Sequence, residues 1–207
     1  MYNITPVVRN LIIFNIIVFL LQLFLRSLYT IQIGDQDITL GLTDILSLWD
    51  LSTPLFKPFQ FFTYMFAHSP ANYFHVIFNM LALSSFGPIL ENYWGDKKFL
   101  FFYIACGIGA GLIYGLTNYF LLPNHAGPML GASGAIYGIL MAFGLLFPEL
   151  EIMLLFPPIP LKAKYMVFVM GFITYAMDQS GQVAHLAHFA GAFVAFLIIR
   201  YWRSQGR

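Results

Sequence analysis

Gly131-Ala132-Ser133-Gly134-Ala135-Ile136-Tyr137-Gly138 is the stretch on which the reading of this chain turns, and it opens an apolar run that continues to Phe147. Ser133 has small residues on both sides, so a second backbone can come close to its hydroxyl. A helix that starts here leaves its first backbone N–H groups without intrahelical partners, which is local equipment for holding negative charge on oxygen. Ser133 and Tyr137 are four apart and share a helical face. Gly134 and Gly138 form a Gly-x-x-x-Gly pair, which admits a close neighbouring helix.

The composition says where such a helix lies. Of 207 residues, 59% are hydrophobic and 9% charged, and the mean hydropathy is +0.76. A soluble domain carries about 25% charged residues. The chain is therefore expected to be an integral membrane protein. A net charge of +1 gives nucleic acid nothing to bind. The single cysteine, Cys106, excludes an intrachain disulfide and reads as a small buried hydrophobe. No cofactor is expected. The first apolar run, Val7 to Leu25, exceeds the ~7–15 residues of a signal-peptide core and reads as a retained helix.

Six stretches approach the ~17–25 residues that a bilayer requires. They fall at about 7–28, 73–91, 98–121, 132–148, 162–178 and 183–202. The expectation is an all-α, six-transmembrane-helix bundle forming one membrane domain over residues 1–207. Tyr29 to Asn72 is a long first loop that mixes four aspartates with Trp49, Phe56, Phe59, Phe61 and Phe62. It is expected to be compact, with short helices on the membrane surface. Met153 to Pro160 holds three prolines and reads as an interfacial loop. With the N-terminus in the cytoplasm, eight of the ten basic residues fall inside (Arg9, Lys97, Lys98, Lys162, Lys164, Arg200, Arg203 and Arg207), and only Arg26 and Lys57 fall outside. Both termini are then cytoplasmic.

That topology puts His75 and Asn79 at the outer end of the second helix, Ser133 at the outer end of the fourth, and His185 and His188 at the outer end of the sixth. Polar groups in a bilayer are costly and usually mark function. On the sixth helix Ala184, His188, Gly191 and Ala195 make one small-residue stripe with a single histidine in it. Paired with the small stripe of the fourth helix, it suggests that His188 faces Ser133. Gly107, Gly111 and Gly115 form a further close-packing face on the third helix, and no chemistry is assigned to them.

Attack on a carbonyl needs a nucleophile, a base and a cradle for the oxyanion. Ser133 fits the first role and His188 the second. His75, Asn79 and the Ser133 backbone N–H are placed to surround the oxyanion. Asp35, Asp37, Asp44, Asp50 and Asp178 have no spacing that ties them to His188. A Ser–His dyad is expected, with the Tyr137 ring packing against the imidazole in place of a carboxylate. A metal site is the competing chemistry, on His185 and His188. No H-E-x-x-H pattern accompanies them, and no metal is expected. An aspartyl mechanism would need two intramembrane aspartates.

The chain resembles the rhomboid family of intramembrane serine proteases. The resemblance rests on His75-x-x-x-Asn79 followed by Gly87 and Glu91, on Gly131-x-Ser133-Gly134 with Tyr137-Gly138, and on His188-x-Ala190-Gly191. It implies the six-helix rhomboid fold, a water-filled cavity open to the outside, and the fifth helix as a lateral gate. It implies Ser133 as nucleophile, His188 as general base, and oxyanion contacts from His75, Asn79 and the Ser133 main chain. Gly131, Gly134, Gly191 and Tyr137 support that site. Many members carry a Trp-Arg pair in the first loop where this chain has Phe59-Gln60, which should affect the placement of the loop and not the chemistry. No role carries onto His68. Members that have lost activity lack the serine or the histidine, and this chain keeps both.

The expected function is a serine endopeptidase that cuts transmembrane protein substrates near the outer membrane boundary, with membrane lipid as its surroundings. The alternative is a catalytically silent relative that binds or escorts transmembrane clients. A transporter would need polar residues to continue through the inner half, where few occur. Minimal six-helix size fits a bacterial inner membrane.

Overall fold

The computed structural model describes residues 4–121, 127–153, 159–177 and 185–206. Eight α-helices appear among them: α1 (Pro6–Phe24), α2 (Leu42–Leu46), α3 (Gln60–Thr63), α4 (Tyr73–Trp94), α5 (Asp96–Leu121), α6 (Ser133–Leu146), α7 (Met166–Met177) and α8 (His185–Ser204). Two short hairpins accompany them, β1 (Tyr29–Ile33) with β2 (Gln36–Leu40) and β3 (Glu151–Met153) with β4 (Pro160–Lys162). The chain is helical and membrane-embedded. Four helices, α1, α4, α5 and α8, are long and apolar enough to cross a bilayer, and two shorter apolar ones correspond to α6 and α7.

The helix α6 is short because it is central. Its 14 residues rise about 21 Å, well under the ~30 Å of a hydrocarbon core. It packs chiefly on α8, and then on α5 and α4. No residue from Ser133 to Leu146 is exposed, so it meets protein on all sides. Its apolar sequence therefore serves burial in a bundle, and Ser133 stands at its first turn. The helix α1, by contrast, leaves Ile13, Phe14, Ile16, Ile17, Leu20 and Leu21 nearly half exposed along one side, as a lipid-facing surface does. On α7 no residue from Phe168 to Ala176 is buried, so this helix lies loosely at the edge.

Glu91, buried near the end of α4, fastens α1 in place. Its carboxylate accepts from the backbone N–H groups of Val7 and Val8, each at 2.9 Å, and from Thr5 Oγ1 at 2.5 Å. The two N–H groups are orphan donors of a helix start, and a carboxylate is the side chain best suited to that positive end.

The long first loop departs from the expected set of surface helices. The helices α2 and α3 are present, but Tyr29–Leu40 is an antiparallel hairpin. Its alternating Ile31, Ile33, Ile38 and Leu40 carry the period of two, and Gly34, at φ 61°, supplies the turn. The loop is also no mere surface cover. Gln22 of α1 holds it by two hydrogen bonds to the main chain of His68, accepting from the N–H and donating to the carbonyl. A β-carbon on Gly107, Gly111 or Gly115 would meet Met65, Tyr64 or Phe61 respectively. The close-packing face of glycines on α5 therefore receives the loop's short helices.

Element ends differ modestly from expectation. The first helix stops at Phe24 and not at residue 28, and the fifth begins at Met166 after a turn of 3-10 helix over Ala163–Tyr165. The Met153–Pro160 segment is flanked by the β3–β4 pairing. Its Pro157 and Pro158, together with Asp178, Val183 and Ala184, lie outside the described residues.

Candidate active site

Ser133 is the first residue of α6, and a three-part brace holds the chain ahead of it. Leu48 and Met129 exchange both backbone hydrogen bonds, at 2.8 and 2.9 Å, and the Gly131 N–H donates to the Tyr64 carbonyl at 2.9 Å. The Tyr64 hydroxyl in turn donates to the Gly107 carbonyl of α5 at 2.6 Å. The first loop thus ties the approach to the serine onto the bundle. Gly131 has φ 116°, a region that L side chains rarely adopt. It also faces His75: a β-carbon at residue 131 would lie 2.5 Å from His75 Nε2. Glycine is required there both for the turn and for the imidazole packed over it.

His188, near the start of α8, is buried and presents Nε2 to Ser133 Oγ at 2.9 Å. Its ring stacks on that of Tyr137, with centroids 4.3 Å apart and planes 3° from parallel. The Tyr137 hydroxyl bonds Thr174 Oγ1 of α7 at 2.9 Å, and Thr174 donates to the Met170 carbonyl. Tyr137 therefore joins three helices: it belongs to α6, carries the histidine of α8 on its face, and reaches α7 with its hydroxyl.

The helices come close enough for this because three glycines carry no side chain. A β-carbon on Gly191 would overlap the Gly134 carbonyl oxygen, one on Gly134 would press on Ala110, and one on Gly138 would press on Cys106. Cys106 is buried in that contact, as a small apolar residue would be.

The remaining expected residues cluster without closing a finished oxyanion pocket. Asn79 Nδ2 donates to the His75 carbonyl one turn earlier at 2.6 Å, which uses one of the two amide hydrogens. His75 and Asn79 line one face of α4 beside the Ser133 turn, and no hydrogen bond joins either to Ser133 among the described contacts. His185 sits beside His188 with ring centroids 6.1 Å apart, and against Tyr175 at 5.3 Å.

His68 was not given a role by its sequence context, yet it belongs to this neighbourhood. It is fully buried, and its ring meets that of His75 edge-on at 5.1 Å. Burial first, and the neighbouring His75 second, hold its imidazole down to about 3, against an opposing contribution from the Phe66 backbone. The only signal in the sequence was its seven-residue interval to His75, which is two helical turns only if the segment were helical. It is not: the helix begins at Tyr73.

Gln60 answers the question raised by the Phe59-Gln60 pair. It is buried in the loop. Oε1 accepts from Lys57 N at 3.1 Å and, at long range, from Trp49 N at 3.4 Å. Nε2 donates to the Ile45 and Leu55 carbonyls at 3.2 and 3.1 Å. One neutral amide thus organises both sides of the loop.

Comparison with known proteins agrees in extent with this architecture. The sequence profile described as "Rhomboid domain" matches residues 56–205, from the α3 region to the end of α8. Rhomboid protein 1, mitochondrial, of Saccharomyces cerevisiae is 35% identical over 136 residues, which cover 63% of this chain and 38% of that protein. The human presenilin-associated rhomboid-like protein, mitochondrial, is 30% identical over 137 residues, covering 62% of this chain and 34% of its own length. Rhomboid-like protein 11, chloroplastic, of Arabidopsis thaliana is 30% identical over 152 residues, 68% of this chain and 51% of that protein. The chain thus spans about a third to a half of these curated relatives. Their names point to mitochondria and a chloroplast, at odds with the bacterial inner membrane expected from size, whereas the reading as an integral membrane protein stands.

Proposed function

The chain belongs to the rhomboid family, and from that premise we propose that it is an intramembrane serine endopeptidase acting through Ser133 and His188 on transmembrane protein substrates. The observation that carries this reading is the 2.9 Å approach of His188 Nε2 to Ser133 Oγ, with the imidazole held flat on Tyr137. A hydroxyl and a buried imidazole at hydrogen-bond distance, at facing helix starts, fit a nucleophile with its base.

In the proposed reaction His188 is neutral, with its proton on Nδ1 and Nε2 free to accept. Ser133 Oγ attacks the substrate carbonyl as its proton passes to Nε2. The oxyanion that forms faces the free N–H groups at the start of α6, with His75 and the second amide hydrogen of Asn79 as further donors. The protonated Nε2 then donates to the leaving amine as the peptide bond breaks. Water, deprotonated by Nε2, attacks the acyl ester, and the serine regains its proton as the ester breaks. The Tyr137 stack keeps the ring in plane, the task for which other serine hydrolases use a carboxylate. General-base catalysis of this kind is worth about 10²–10⁴ in rate.

The proposed topology has six crossings, α1, α4, α5, α6, α7 and α8, with both termini on the side rich in Lys and Arg. The starts of α4, α6 and α8 then face the opposite side. Cleavage falls near that boundary, at a substrate segment whose helix opens easily enough to release its carbonyls from intrahelical bonds.

Labelling of the detergent-solubilised chain with a fluorophosphonate tests the reading, with wild type beside Ser133→Ala and His188→Ala. Labelling of the wild type alone is the expected result. Equal labelling of Ser133→Ala would move the chemistry elsewhere. A folded wild type that takes no label would favour a silent protein that binds transmembrane clients.

A further inference from the structure

The end of the bundle remote from Ser133 holds a cavity that the proposed reaction does not use. It measures about 370 Å³, and its walls include Tyr93, Trp94, Lys98, Ile199, Trp202 and Arg203. That volume lies within the ~300–1,000 Å³ usual for small-ligand sites. The walls come from the ends of α4, α6 and α8 and the first turn of α5, whereas Ser133 and His188 stand at the starts of α6 and α8.

Two cations meet in this cavity. Lys98, half-buried, places Nζ 4.2 Å from the centre of the Trp202 ring. Arg203 donates from Nη2 to the Leu145 carbonyl at 2.7 Å, which caps the end of α6 and leaves further guanidinium donors unused by that bond. Among the described residues the ion pairs are those of Lys162 and Lys164 with Glu149, so neither Lys98 nor Arg203 is neutralised by a carboxylate. Trp94, Trp202 and Phe102 pack ring on ring behind them, which fixes the aromatic wall.

Two uncompensated cations in one aromatic-walled cavity call for an anion. Tryptophan and tyrosine belong at the headgroup level of a membrane, and basic pockets between helices at that level bind anionic headgroups. The rim also continues onto apolar surface. Phe101, 60% exposed, lies with its ring centre 6.4 Å from that of Trp202. A free phosphate would use only the cations, whereas a phospholipid would use the cations and this apolar flank together. We propose that the Lys98–Arg203–Trp202 cavity binds the phosphate of an anionic phospholipid headgroup, with the acyl chains lying along the surface beside Phe101.

The test is native mass spectrometry of the full chain in an uncharged detergent, titrated with phosphatidylglycerol or phosphatidylcholine. Wild type should retain phosphatidylglycerol preferentially. Lys98→Gln should lower that retention about fivefold and Lys98→Gln/Arg203→Gln at least tenfold, with phosphatidylcholine unchanged and Lys98→Arg close to wild type. Retention should also fall in 0.5 M salt, since charges at this depth are partly screened. Equal retention by wild type and Lys98→Gln would overturn the assignment. So would displacement of phosphatidylglycerol by millimolar inorganic phosphate, which would mark the cavity as a site for the free anion. Circular dichroism and the thermal midpoint check that each variant is folded. Should the double variant lose its helices through the lost Leu145 bond, Lys98→Gln decides, because it leaves that bond in place.

Discussion

Gly191 of α8 lies against the main-chain carbonyl of Gly134 of α6 so closely that any β-carbon at residue 191 would overlap the oxygen. This contact sets the distance between the two helices. The helix distance in turn sets the 2.9 Å between His188 and Ser133, which lie three residues and one residue away from the two glycines. Close packing of backbone on backbone is a familiar way for membrane helices to associate. Here it also sets the distance between the serine hydroxyl and the imidazole.

Gly191→Ala should therefore damage site and fold together. Overpacking costs about 1–3 kcal/mol, and the helices can relieve it only by separating. Fluorophosphonate labelling should fall at least tenfold, with a lower thermal midpoint. Gly127→Ala, whose β-carbon would meet nothing within 4 Å, is the matched control and should label as wild type does. Normal labelling of Gly191→Ala would show that the helix distance does not govern the dyad.

Tyr137 makes two separable contacts, its ring with His188 and its hydroxyl with Thr174. Tyr137→Phe keeps the stack and should hold labelling within about threefold of wild type, since a lost neutral hydrogen bond costs about 0.5–1.5 kcal/mol and this one lies away from the dyad. Tyr137→Leu removes the flat surface and should lower labelling by more than tenfold. Similar labelling by the two variants would shift the importance from the ring to the hydroxyl or to neither.

Gln60 is both donor and acceptor, and that duality predicts how the loop responds to substitution. Gln60→Ala strands the Lys57 N–H and the Ile45 and Leu55 carbonyls, for a loss of about 2–3 kcal/mol measured as the change in unfolding free energy. Gln60→Arg should not restore it. Arginine can donate to the two carbonyls but has no acceptor for the Lys57 and Trp49 N–H groups. Wild-type stability in Gln60→Arg would mean that the loop rearranges around the charge.

Acid should act in two ways. Protonation of His188 removes the acceptor for the serine proton, so labelling should fall about tenfold per pH unit below its working pKa. Stability should fall as well, through His68. Its pKa lies near 3 when folded and about 6.5 when unfolded, so between those values the unfolded chain binds the extra proton. The contribution is fully present above about pH 6.5 and is lost as pH falls toward 3, with a slope of about 1.4 kcal/mol per unit. The acid limb of a stability–pH curve should be shallower in His68→Gln by about that slope. Identical acid limbs would show that His68 is already protonated in the folded chain.

Much of the site was legible before any coordinates. Ser133, His188, His75 and Asn79 stand out because a polar residue in an apolar run is conspicuous whatever surrounds it, and helical spacing says which of them share a face. The small-residue steps around Gly134 and Gly191 likewise announce close packing, since that depends only on what each residue lacks. Even the Tyr137 stack follows from the missing carboxylate together with the four-residue step from Ser133.

Other features are relations across space, to which periodicity is blind. Glycines on α5 announce a close neighbour without naming it, and the neighbour is the loop's Phe61, Tyr64 and Met65. His68 looks like a loop residue because it is one; it reaches His75 because Gln22, 46 residues away, holds its main chain. The shortness of the central α6 could not be read from its sequence, because burial in protein and burial in lipid select the same apolar side chains. Sequence by itself determined which polar and small residues the candidate site is built from and the order of the helices that bear them, because both are written in local residue type and spacing. Tertiary structure alone decided which faces meet and what the first loop braces, because each depends on contacts between segments far apart in the chain.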